Sequence, residues 1–402
     1  MRKNEDYILI DDSEMYIDLD ADGMPDGRAE APDWFANYLN LARELLKASL
    51  AENRQSNVVV SPFSLYVMLV LAMNATAGKS QKEIKEVLAD GYAVKNLTEQ
   101  VQKMQRDFCQ QMKGGRLASS NGICLDESVY DKILPEFGNS IQKELGAEIF
   151  SGGDQAVDKI NEWVSQKTEG MIEKLLDDLP TSFKACLMNA IAFRAKWQKP
   201  YDEYDIGEGY DFTNADGSVS EVTMLCSKEQ GYIEDEFFTG FVKPYKGGKY
   251  DLMCLLPNKK KSQTFLGRAL ENIDFKKYYD SLNISQETNV MMPEFECFTD
   301  SELKSLCQKL GINDIFTPKA SFSGMLTKEA GPVMVDSAIQ KAYVKVNREG
   351  TKAAAVSAMV VCVGCAPDFD RVKEVTLDRP FIYAIMNKQY GLPVFVGMVN
   401  QL

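Results

Sequence analysis

The chain has 402 residues, 45% hydrophobic and 26% charged, with a formal net charge of −14 and no histidine. Such a chain can bury a large core, but its acidity opposes binding to phosphate backbones, so no nucleic-acid partner is expected. Without histidine, a Ser-His-Asp triad, a Cys-His pair, His-ligated zinc and a histidine pH switch are all excluded. The nine cysteines, odd in number and dispersed, do not read as a disulfide framework.

Residues 1–33 form an acidic extension. Its start, Met-Arg-Lys-Asn-Glu-Asp, is too polar for a signal peptide, although a chain whose signal had been replaced by a start Met would begin the same way. The expectation is an extracellular or cell-surface protein if a signal was removed, and a cytoplasmic one otherwise. Asp18, Asp20, Asp22 and Asp26 alternate around Gly23, a pattern that wraps oxygen ligands about Ca²⁺. The twelfth loop position holds Ala29 rather than Glu, so the match is to the shorter calcium loops of bacterial and adhesive modules. The alternative is an acidic tail. No other cofactor is required.

From Trp34 to Glu52, Phe35, Leu39, Ala42, Leu45 and Leu46 recur at helical spacing behind Asp33 as N-cap. Ser61-Pro62 caps and starts a second helix through Met73. Ala156 to Thr168 is an amphipathic helix with Val157, Ile160 and Val164 on one face. Lys184 to Phe193 is a nearly continuous apolar run that fits a strand buried on both faces. Two runs, Phe238 to Tyr245 and Tyr250 to Pro257, meet around Gly247-Gly248 as a hairpin. Val394 to Val399 reads as a terminal strand. The mixture predicts an α+β protein. No linker interrupts residues 34–402, and no apolar run approaches the ~18 residues that would span a membrane. Cys186 and Cys254 lie in apolar runs and read as reduced core residues. Asn74, Asn96 and Asn283 head glycosylation tripeptides, which matter only in a eukaryotic secretory pathway.

Near the C-terminus, Arg348-Glu-Gly-Thr-Lys-Ala-Ala-Ala-Val-Ser-Ala-Met359 is unusually rich in small residues. In an extended chain Thr351, Ala353, Ala355, Ser357, Met359 and Val361 share one face, small or apolar throughout, while Lys352 lies on the other. Gly350 supplies a backbone pivot. An Ala-rich helix is the competing reading, but the valines and the missing 3.6-residue stripe oppose it. Cys362-Val-Gly-Cys365 is a single C-x-x-C. Zinc would need two further ligands, so the readings left are a redox pair or two small side chains.

Glu349-Gly350-Thr351 with Ala353-Ala354-Ala355 resembles the hinge of the serpin family. The resemblance continues through Asn57-Val-Val-Val-Ser61-Pro62-Phe-Ser64, Asn189-Ala-Ile-Ala-Phe193-Arg-Ala-Lys-Trp197, Leu310-Gly311-Ile312, Asp314-Ile-Phe316 and Phe322-Ser323-Gly324. It ends with Arg379-Pro380-Phe381-Ile-Tyr and Gly397-Met-Val-Asn400. The resemblance implies one serpin-like domain over residues 34–402, with a large central sheet, additional sheets, about nine helices and an exposed reactive loop at about 348–378.

By the same resemblance the chain is no enzyme but a monomeric suicide inhibitor. Its partner is a target protease, held as a covalent acyl complex. The reactive bond follows Gly364, flanked by Val363, Cys365 and Ala366, which suits elastase-like enzymes; papain-like cysteine proteases, or a non-inhibitory carrier or chaperone, are the alternatives. The hinge comprises Arg348, Glu349, Gly350, Thr351, Ala353 and Ala355, and Trp197 marks the breach where the loop enters. Ser61, Ser64, Asn189 and Gln340 match the polar network that governs sheet opening, with Gln340 where His is usual. Arg348 and Glu294 occupy the positions of a Glu–Lys latch with both signs reversed, which preserves attraction.

Overall fold

The computed structural model describes residues 33–351 and 372–402, apart from residues 54, 90, 154, 180–182 and 259–262. Its helices are α1 (Asp33–Glu52), α2 (Pro62–Ala75), α3 (Gly78–Ala89), α4 (Val94–Cys109), α5 (Glu127–Tyr130), α6 (Pro135–Leu145), α7 (Ala156–Lys167), α8 (Gln263–Glu271), α9 (Phe275–Asp280) and α10 (Lys304–Lys309). α1 begins at Asp33, so the residue expected to cap it is already helical. α2 starts as the sequence suggests: the Ser61 hydroxyl accepts the Ser64 N–H at 3.2 Å, and Pro62 fills the first turn. Apolar all round, α2 is buried along nearly its whole length inside the core.

The central sheet has six strands in the order β10 (Phe295–Glu302), β11 (Val335–Asn347), β12 (Gly350–Thr351), β4 (Ala185–Lys196), β2 (Gly115–Asp126) and β3 (Ala147–Gly152). β4 is the apolar run, buried on both faces through Phe193. Its Leu187, Ile191 and Phe193 enter the main core with α1 and α2, whereas Cys186, Met188 and Ala190 enter a smaller core with Ile160, Trp163 and Val164 of α7.

The second sheet runs β1 (Val58–Val60), β15 (Leu392–Val399), β14 (Phe381–Asn387), β8 (Tyr250–Pro257), β7 (Phe238–Pro244), β6 (Val219–Glu234), β9 (Asn283–Pro293) and β13 (Lys373–Thr376), with β5 (Ile206–Thr213) paired to β6. β7 and β8 form the expected antiparallel hairpin. Among the described residues, no helix is long and apolar enough to cross a membrane.

One seam positions everything that follows. β4 and β11 pair in parallel from Ala185 opposite Val335 up to Ala192 opposite Tyr343. Above that level β12 lies between them, antiparallel to both.

Candidate functional site at the head of the central sheet

β12 consists of two residues. Gly350 pairs with Lys196 and Asn347, and Thr351 with Ala195 and Val346. The turn before it is closed by Asn347, whose Oδ1 accepts the backbone N–H groups of Glu349 at 3.0 Å and Gly350 at 3.2 Å. Gly350 has φ +148°, and a Cβ there would overlap Ala195 O and lie 2.6 Å from Lys196 Cα, so glycine is required. Thr351 is 1% exposed, with its hydroxyl 2.8 Å from the Tyr245 hydroxyl. Burial pushes the Tyr245 phenol above its ordinary range.

Trp197, at the end of β4, grips the same turn. Its indole Nε1 donates to Asn347 O at 2.8 Å and its backbone N–H to Glu349 O at 3.1 Å. The Tyr201 N–H donates to Arg348 O at 3.3 Å, so three successive hinge carbonyls are held from one segment. The indole stacks on Tyr245, with centroids 4.5 Å apart and planes 13° apart. Arg348 meets Glu294 through one oxygen: Glu294 Oε1 accepts Arg348 Nε at 3.3 Å and the Arg348 backbone N–H at 3.0 Å. The guanidinium fork is not used in the bidentate way an Arg–carboxylate pair permits.

The four residues expected to share a polar network fall into two sets. Gln340 pairs with the backbone of Ser61, its Oε1 accepting the Ser61 N–H at 2.9 Å and its Nε2 donating to Ser61 O at 3.1 Å. The Ser61 hydroxyl donates to Val394 O at 2.8 Å. Asn189, opposite Gln340 across the seam, turns to β2 instead, donating to Asn121 Oδ1 at 2.9 Å and Ser120 O at 3.2 Å. Each amide thus bonds away from the seam, Gln340 to the backbone at the start of α2 and Asn189 to β2. The Ser64 hydroxyl and Asn189 Oδ1 are buried without a protein partner.

Cys109, Cys124, Cys186, Cys226, Cys254, Cys297 and Cys307 are free thiols, and burial pushes Cys124, Cys297 and Cys307 up to about 12. The candidate calcium ligands Asp18, Asp20, Asp22 and Asp26, the hinge positions Ala353 and Ala355, and Cys362 through Ala366 with the reactive bond lie outside the described residues. Among the described residues there is no group of three or more Asp, Glu or Cys placed to hold a metal ion. Tyr201, Tyr245, Asn347, Lys243 and Glu229 belong to the site without having been singled out in the sequence. Lys243 carried a usable signal, a lone cation in an otherwise apolar strand.

The family profile described as Serpin (serine protease inhibitor) matches residues 36–402. Iripin-2 of Ixodes ricinus is 30% identical, covering 89% of this chain and 91% of its own length. The leukocyte elastase inhibitor of Sus scrofa is 29% identical, covering 89% of this chain and 97% of its own. Among solved structures, the thermophilic serpin tengpin in its native state matches with TM-score 0.82 and 26% identity, over 94% of this chain and 97% of that one. Tengpin in its latent state gives a TM-score of 0.77. The chain belongs to the serpin family, a family of serine protease inhibitors and not of enzymes.

Proposed function

We propose that the chain is a monomeric, irreversible inhibitor of elastase-like serine proteases, acting by cleavage of its loop and insertion of the freed segment into the central sheet. The carrying observation is the length of the seam against the register of β12. Continuing that register past Thr351 sets Ala353 between Phe193 and Val344, Ala355 between Ile191 and Ala342, and Ser357 between Asn189 and Gln340. Met359 would fall between Leu187 and Ala338, and Val361 beside Ala185, where the seam ends. The inward residues would be small where the core is already full, and polar at the level of the unpartnered Asn189 Oδ1.

A cut at Gly364-Cys365 would therefore free a segment that spans the seam with little slack, the inserted strand running about 33 Å at ~3.3 Å per strand residue with the acylated protease at its far end. A cut near Arg371 would leave several residues of loose tether, so trapping favours the earlier bond and the small apolar residues around it. An enzyme with a shallow pocket for such residues is the matching target.

The test is to mix the protein with pancreatic and neutrophil elastase. The expected products are a covalent, SDS-resistant complex and a released C-terminal peptide starting at Gly364, Cys365 or Ala366. A peptide starting at Asp370 or Val372 from a stable complex overturns the bond. Thr351→Arg places a charge in a buried position and should turn the inhibitor into a substrate; unchanged trapping stoichiometry overturns insertion.

A further inference from the structure

Behind the hinge lies a buried ion pair. Lys243 of β7 donates from Nζ to Glu229 Oε1 of β6 at 2.5 Å, with the two side chains 3% and 8% exposed. The same ammonium sits 4.3 Å from the ring centroid of Tyr201 and 5.4 Å from that of Trp197. A desolvated ammonium is tolerated only where the surrounding groups are well placed. Here those groups are one carboxylate and two aromatic faces. The coupling works in both directions: the rings help to hold the charge, and the charge helps to fix the ring planes. Trp197 and Tyr201 supply the three donors that hold the carbonyls of Asn347, Arg348 and Glu349.

We propose that Lys243 and Glu229 are positioning residues that keep Gly350 and Thr351 in register within the sheet before any cut. The strand that must later grow is then already begun, so the cost of closing a loop to start it is met before cleavage. Its consequence for trapping rests on the inhibitory reading above, whereas its effect on the hinge does not.

Removing one partner alone strands a buried charge, so the test uses paired apolar replacement, Lys243→Met with Glu229→Met, beside Lys243→Arg, in the full chain. Amide hydrogen exchange read by mass spectrometry reports on Gly350 and Thr351. The double variant is expected to lose roughly tenfold or more of their protection while core strands stay protected. Lys243→Arg, which keeps a cation over both rings, is expected to retain it. Unchanged hinge protection in the double variant overturns the proposal. Should that variant fail to fold, Tyr201→Leu removes one ring and is expected to show the same hinge loss, with unchanged protection again overturning the proposal.

Pancreatic elastase then serves as probe for the consequence. A raised number of inhibitor molecules consumed per enzyme trapped supports the positioning role; an unchanged number with a loosened hinge overturns it. Wild-type protein that forms no covalent complex sinks the inhibitory reading instead, and the hinge result stands by itself.

Discussion

Gly350 sits at φ +148°, a region that costs other residues about 1–3 kcal/mol, and its neighbours on β4 leave no room for a Cβ. Gly350→Ala should therefore expel β12 from the sheet while sparing the rest of the fold. Limited proteolysis should find new cuts between Glu349 and Thr351 in the uncut variant, and a hinge as resistant as the wild type would refute this. Arg348 and Glu294 call for a more careful expectation than two surface charges would. Because Glu294 Oε1 also accepts the Arg348 backbone N–H, Arg348→Glu removes attraction, but adding Glu294→Lys returns the charges without returning that acceptor. The swapped double variant should recover only part of the stability lost, with a coupling of about 0.5–1 kcal/mol by double-mutant cycle in denaturant. Full recovery would mean that the backbone contact carries nothing.

At the scale of elements, the seam between β4 and β11 is tied at mid-height to different neighbours on its two sides. Gln340 fastens β11 to the start of α2, and Asn189 fastens β4 to β2. Gln340→Ala would leave the Ser61 N–H and C=O buried without their side-chain partner, at a cost of ~2 kcal/mol. The variant should unfold at correspondingly lower denaturant and polymerise faster on warming; wild-type values in both would remove Gln340 from control of the sheet. The elements themselves were largely legible in the sequence, since local signals determine them. Ser61-Pro62 marked α2, the apolar run marked β4, and Gly247-Gly248 marked the β7–β8 turn. What joins them was not legible. The parallel pairing of β4 with β11 links residues about 150 apart, and β12 is too short to leave a periodicity. Lys243 stands out as the lone cation of its strand, but its partners Glu229, Trp197 and Tyr201 come from elsewhere in the chain and are brought round it only by the fold. The hinge, latch and polar positions came from resemblance to a family; the division of the polar network into two sets came from which neighbours the fold brings to the Gln340 and Asn189 side chains.

Over the whole molecule, the buried thiols and the open-ended seam bear on stability in different ways. Burial pushes the Cys124, Cys297 and Cys307 thiols up to about 12 in the fold, against ~8.5 for an unperturbed thiol when unfolded. The unfolded chain therefore loses these protons first as pH rises, so the stability they support is complete below pH ~8.5 and declines above it, by up to ~1.4 kcal/mol per pH unit for each group. The thermal midpoint should fall steadily between about pH 9 and 11, and Cys307→Ala should reduce the slope; a flat profile would contradict the burial.

The seam carries the larger effect. In the uncut chain β4 and β11 share one parallel ladder; insertion would replace it with two antiparallel ladders around a new strand, a pairing that is somewhat stronger per residue. About ten added residues at ~1 kcal/mol of net hydrogen bonding each give on the order of 10 kcal/mol before any apolar burial. With an unfolding entropy of ~2.1 cal/mol/K per residue, that amounts to a rise of the midpoint on the order of 10 °C or more. Ordinary nicking of a loop does the opposite, since it frees chain ends and lowers stability. Calorimetry before and after cleavage near Gly364 separates the two: a midpoint that rises supports an uncut fold held short of its most stable arrangement by an intact loop, and one that stays level or falls rules it out. Thr351→Arg supplies the control within the same experiment, because a cut in that variant should leave the midpoint near its uncut value.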